Sequence, residues 1–263
     1  MNRRNLLAGL AASTMTNLSS FAQTPGGAAN SFLEIVTYRL HNSFEDQFSR
    51  LSDFLRASKQ PALARAGAKL IGAFANYIGP DGPYLLAITQ YPSLAIFQET
   101  IARLTVDETY QKEMAALSKD EGFPYVRIDS SLLRSFDGMP EAALADPNDK
   151  RPPRIFELRT YESHTQATLA KKIAMFNGGE IAIFQHVGMR PIFFGETLIG
   201  TRQPSLTYML SFDDLTAREK LWHAFVTDPD WKKLSSQPGL SDAQIVSNIG
   251  NVILRPLSFS MIR

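Results

Sequence analysis

The sequence predicts an α+β protein: two tandem βαββαβ units packed sheet to sheet. Three observations carry that prediction. The chain repeats itself at a nearly fixed offset, each copy spells the same order of elements, and a polar, proline-rich stretch divides the copies. Phe32-Leu33-Glu34-Ile35-Val36-Thr37-Tyr38 returns as Ile155-Phe156-Glu157-Leu158-Arg159-Thr160-Tyr161, an offset of 123 shared by His41 and His164. Further along the offset is 121, pairing Gly67 with Gly188, Gly79 with Gly200, Asp107 with Asp228, Tyr110 with Trp231 and Arg134 with Arg255. One offset held over about a hundred residues marks a duplicated domain rather than a solenoid of short repeats.

In the first copy, residues 32–40 are rich in β-branched and aromatic side chains and read as a strand. Phe44, Phe48, Leu51 and Leu55 then fall on one face of a helix over about 44–58, which Gln60-Pro61 is expected to end or kink. Residues 70–78 form a second strand, and Gly79-Pro80-Asp81-Gly82-Pro83 a turn that makes 84–90 its antiparallel partner. Leu94, Phe97, Ile101 and Leu104 mark a second helix, 107–117 a shorter one, and 125–136 the closing strand. The second copy follows suit: strand 155–162, a helix bearing Leu169, Ile173 and Phe176, and strands 191–199 and 205–212. A helix with capping-box spacing at Thr216 and Glu219 comes next, then a short helix with Pro229 in its first turn, then strand 245–259. This string is the ferredoxin-like split β-α-β, twice. Each such unit leaves one sheet face bare, and duplication lets the two bare faces meet as an α/β barrel. The expected divisions are a first repeat at 31–140, a linker at 141–153 around Asp146-Pro147-Asn148-Asp149, and a second repeat at 154–263.

The N-terminus differs in kind. Arg3-Arg4 precede the apolar stretch Leu6-Leu7-Ala8-Gly9-Leu10, and small residues lead to Ala22, the layout of a signal peptide over residues 1–22. The paired arginines resemble a twin-arginine signal, so the mature chain is expected in the periplasm or outside the cell, with a Sec signal as the alternative. Elsewhere no apolar run approaches the length of a membrane span, so a soluble mature chain without stable membrane insertion is expected. The 263 residues carry a net charge of +1 and no cysteine. Disulfides and thiol chemistry are thereby excluded, and nothing in the charge pattern favours a nucleic acid.

Glu157-Leu158-Arg159-Thr160-Tyr161, and Phe212-Asp213-Asp214-Leu215-Thr216-Ala217-Arg218-Glu219-Lys220 followed by Asp228-Pro229-Asp230-Trp231, resemble the characteristic stretches of the NIPSNAP family. The first copy is a degenerate version, with Val36 in place of Arg159 and Tyr110 in place of Trp231. The resemblance implies the dimeric α/β-barrel type of ferredoxin-like fold and implies no particular reaction.

Strand alternation places Glu157, Arg159 and Tyr161 on one face, with Glu34, Val36 and Tyr38 on the equivalent face of the first copy. Phe156 and Leu158 on the other face suit packing against helices, so the polar set is expected to line the cleft between the sheets. There Glu34, Tyr38, Glu157, Arg159 and Tyr161 are the candidate ligand-binding residues. The simpler reading, which the residues favour, is that Glu157 and Arg159 satisfy each other as a structural pair. His41, His164, His186 and His223 lack metal-ligand spacing, so no metal or cofactor is expected, with haem a lesser alternative. No covalent hydrolase motif is present. The leading expectation is a small-molecule binder, and association of identical copies is compatible with it. An oxidoreductase of the monooxygenase kind is the rival by fold analogy, and an interaction scaffold without pocket chemistry is the third reading.

Overall fold

The computed structural model describes residues 29–42, 44–118 and 122–263; the expected signal peptide lies outside them. The first copy runs β1 (Phe32–Arg39), α1 (Gln47–Phe54), α2 (Gln60–Arg65), β2 (Lys69–Ile78), β3 (Tyr84–Tyr91), α3 (Leu94–Val106), α4 (Glu108–Leu117) and β4 (Arg127–Ser135). The second runs β5 (Ile155–Glu162), α5 (Gln166–Met175), α6 (Ile181–His186), β6 (Arg190–Ile199), β7 (Ser205–Phe212), α7 (Leu215–Thr227), α8 (Pro229–Ser235), α9 (Asp242–Ile245) and β8 (Asn248–Pro256). The strands close an antiparallel barrel in the order β1-β3-β2-β8-β5-β7-β6-β4. The two sheets therefore meet at their edges as well as across their faces. β2 pairs with β8 around Ala75↔Arg255, and β4 with β6 around Arg134↔Glu196. Closure satisfies edge N–H and C=O groups that two stacked sheets would leave open.

Pro61 does not end the first helix. A five-residue π turn, Leu55–Lys59, joins α1 to α2, and Gln60 donates its N–H to the carbonyl of Leu55, five residues back. The wider turn relieves the clash that a proline ring makes with the carbonyl four residues earlier. The second copy has a matching π turn at Phe176–Glu180, without a proline, but there Gly179 leaves helical backbone (φ 170°, ψ −33°) and the helix kinks. The cap of α7 also differs from expectation: Asp214, not Thr216, accepts from the N–H of Ala217 at 2.7 Å.

Three apolar cores result. One fills the barrel, with Leu33, Phe74, Ile88, Leu133, Phe156, Phe193, Met209 and Leu254 drawn from all eight strands. The others lie outside the barrel, beneath α1–α4 and beneath α5–α9. The outer core of the second copy is aromatic: Phe176, Phe184, Phe194 and Tyr208 pack with centroids 5.3–6.3 Å apart.

Candidate functional site

The polar set on the first strands does not line the interior of the barrel. Phe156, Leu33 and Ile35 point inward, whereas Glu157, Arg159 and Tyr161 point outward beneath the helices. The expectation was inverted because both faces of each sheet are covered, and the interior is as apolar as the helix-facing side. Glu157 is fully buried. Its carboxylate accepts from Arg159 Nη1 (2.8 Å), Arg218 Nε (2.8 Å) and Nη2 (2.6 Å), Trp222 Nε1 (2.8 Å) and Asn251 Nδ2 (3.2 Å). Burial works to raise the pKa of Glu157, but the donors of Arg218, Arg159 and Trp222 outweigh it and hold the carboxyl below its ordinary value. Arg218 and Trp222 stand four apart on α7, one turn of a helix, so both reach the same strand residue. Arg159 lies 4.5 Å from the Trp222 ring and donates to Tyr161 Oη at 3.3 Å, while Tyr208 donates to the same oxygen at 2.9 Å. Its Nε is buried and among the described residues has no partner.

A second buried ion pair lies deeper under the helices. Lys172 on α5 reaches Glu180 of the π turn at 3.0 Å and Asp242 of α9 at 3.3 Å. Burial pulls the pKa of Lys172 down, but Glu180 and Asp242 more than restore it, so the ammonium persists. For Glu180 burial exceeds what Lys172 returns, and its carboxyl rises to about 7. The folded state thus holds a proton that the unfolded chain releases above pH 4.5, and stability from this group is lost as pH rises through about 7. The melting temperature of the wild type is expected to fall between pH 5 and 8 relative to Glu180→Gln. Parallel curves for the two proteins would refute the assignment.

Among the described residues the first copy carries no matching network. Val36, Leu51 and Phe97 stand where the second has Arg159, Lys172 and Arg218. Glu34 accepts from Tyr91 Oη at 2.8 Å, and Lys59 donates to Tyr38 Oη at 2.8 Å. Both predicted residues of this copy therefore also face helices and are occupied by protein partners.

One accessible cavity lies inside the barrel, at the end where β1 and β5 finish. It holds about 520 Å³ and is lined in three layers. Ile35, Leu86, Leu158 and Val252 form an apolar floor. Above them Thr37, Ser131, Thr160, Thr197, Ser205 and Thr207 put hydroxyls on five strands, with Thr160 and Thr207 3.1 Å apart and Ser205 donating to Thr197 at 3.0 Å. Arg39, Arg127 and Arg202, with Asp81 and Asp129, make the rim. The rim obeys the duplication but swaps its charges. Arg39 faces Asp81 at 4.0 Å, and at the matching places Glu162 faces Arg202 at 4.0 Å. Asp81 and Arg202, at the tips of the β2–β3 and β6–β7 turns, both hold left-handed backbone (φ 57° and 62°). No motif marks this site in the sequence, although the strand parity of Phe156 and Leu158 continues directly into Thr160.

A family model described as NIPSNAP matches residues 33–136 and again 156–261. No curated protein matches the chain significantly. Among solved structures, a candidate monooxygenase of Fusobacterium nucleatum aligns at 9% identity with a TM-score of 0.54, over 88% of this chain and 94% of that one. A candidate monooxygenase of Lactobacillus acidophilus aligns at 13% identity and a TM-score of 0.50, over 86% and 94%. An uncharacterised NIPSNAP-like domain protein of Burkholderia xenovorans aligns at 24% identity and a TM-score of 0.38, over 42% of this chain and 90% of its own. At these identities the likeness is one of fold.

Proposed function

The chain belongs to the NIPSNAP family, and on that premise we propose that it binds a small molecule in the cavity at the mouth of its barrel, as an exported protein. Family membership leaves the ligand to be read from this chain's own side chains. The observation that carries the reading is the cavity of about 520 Å³, whose apolar floor and convergent hydroxyls are the makings of a ligand pocket in a barrel mouth. The outward-facing network around Glu157 is the weaker candidate, because all five donors around its carboxylate already bind it, and among the described residues its only buried side-chain nitrogen without a hydrogen bond is the Nε of Arg159. An oxidoreductase reading rests on fold likeness alone and supplies no residue with a role.

Native mass spectrometry of the protein released from the periplasm tests this reading. A retained ligand is expected on the wild type and is expected to be lost from Thr160→Trp, whose indole would fill the hydroxyl layer. Equal occupancy in both proteins would sink the cavity as the binding site, and a precursor confined to the cytoplasm would sink the export.

A further inference from the structure

We infer that the mouth of the barrel recognises a hydroxylated carboxylate, and that Arg202 is the residue that takes its carboxylate group. This deepens the cavity reading and rests on it. The duplication supplies an internal comparison. In the first copy Arg39 lines the mouth and is neutralised from the adjoining strand, its Nε donating to Asp129 at 2.8 Å. The position matching Asp129 in the second copy is Gly250. Among the described residues the one carboxylate within 4.0 Å of Arg202 is Glu162, at 4.0 Å, and Glu162 is also held by Asn248 at 3.0 Å. Gly250 does more than withhold a charge. A Cβ there would stand 3.0 Å from Arg202 Nη1, so the guanidinium lies against bare backbone in a place that a side chain would crowd.

Arg202 and its counterpart Asp81 share the same left-handed turn backbone (φ 62° and 57°), so one turn geometry presents a cation at the mouth in the second copy and an anion in the first. The guanidinium fork presents paired donors that match a planar carboxylate. Below the rim the hydroxyl layer fits a body that both donates and accepts. Each hydroxyl has one proton and two lone pairs, so the Thr160–Thr207 and Ser205–Thr197 contacts leave capacity for a ligand. Rim and belt together describe a small molecule with a carboxylate at one end and hydroxyls beside it.

Titration calorimetry on the full chain with three probes tests the inference: gluconate, with carboxylate and hydroxyls; sorbitol, with hydroxyls alone; and hexanoate, with the carboxylate alone. Gluconate is expected to bind best, with the other two weaker by roughly tenfold or more. Arg202→Gln should weaken gluconate by about tenfold and leave sorbitol unchanged. Gly250→Asp, which puts beside Arg202 the carboxylate that the first copy carries at the matching position, should do the same. Sorbitol binding as well as gluconate, or an Arg202→Gln protein that binds gluconate normally, overturns the inference. If none of the probes binds while Thr160→Trp still loses a retained ligand, the proposed ligand class falls and the cavity reading stands. If Thr160→Trp loses nothing, both fall.

Discussion

Replacing Glu157 by leucine is expected to destabilise the protein by ~3–5 kcal/mol, the usual cost of stripping one partner from a buried charge cluster. The carboxylate is fully buried and is the common acceptor for Arg159, Arg218, Trp222 and Asn251. Without it Arg218, which is partly exposed, turns to solvent along its aliphatic stem. Arg159 has no such exit, because its side chain is 13% exposed and pinned against Trp222. Arg159→Met alone should cost less, since Arg218 still neutralises the carboxylate from two nitrogens. Glu157→Gln with Arg159→Met should recover much of what Glu157→Leu loses, because no uncompensated charge then remains inside. Urea denaturation of the three variants measures all of this. A Glu157→Leu protein as stable as wild type would show that the cluster is not what holds α7 to the sheet.

Residues 155–263 expressed alone are expected to dimerise or aggregate, and residues 32–140 to behave no better. Cutting the chain between the halves opens the β2–β8 and β4–β6 seams and leaves two bare edges on each piece. It also uncovers the interior faces, including Phe156, Phe193, Met209 and Leu254 in the second half. An apolar surface of that kind next to unpaired strands is a template for association. The soluble outcome is a pair of identical halves closing an eight-stranded barrel. A folded, monomeric half in sedimentation velocity would contradict the account of how the barrel is held together.

Duplication was legible from pairs such as Gly79 with Gly200, and several strands lie where their β-branched runs placed them. Strands 155–162 and 205–212 match to the residue. Which way the strands face was not legible. Alternation separates Phe156 from Glu157 but cannot say which side is the barrel when both sides are dry. The partners that would have settled it, Arg218 and Trp222, lie more than sixty residues downstream on another element. The π turn was equally hidden, since Pro61 signals a disturbance without saying that the helix survives by widening. A usable clue was present in β5, where one parity passes from Phe156 and Leu158 to Thr160, from apolar to hydroxyl, as the strand approaches the open end.

The swapped charges at the rim have a meaning that concerns symmetry. A barrel made from two identical chains has a twofold axis through its mouth, so a bound molecule there meets every group twice, in opposite orientations. Such a mouth suits ligands that are themselves two-headed, or holds a one-headed ligand in two equivalent poses. Joining the halves in one chain removes that constraint. Once Arg39–Asp81 faces Glu162–Arg202, and Asp129 faces Gly250, the axis no longer relates like to like. The two ends of a ligand become distinguishable, and a single pose can be preferred over its reverse.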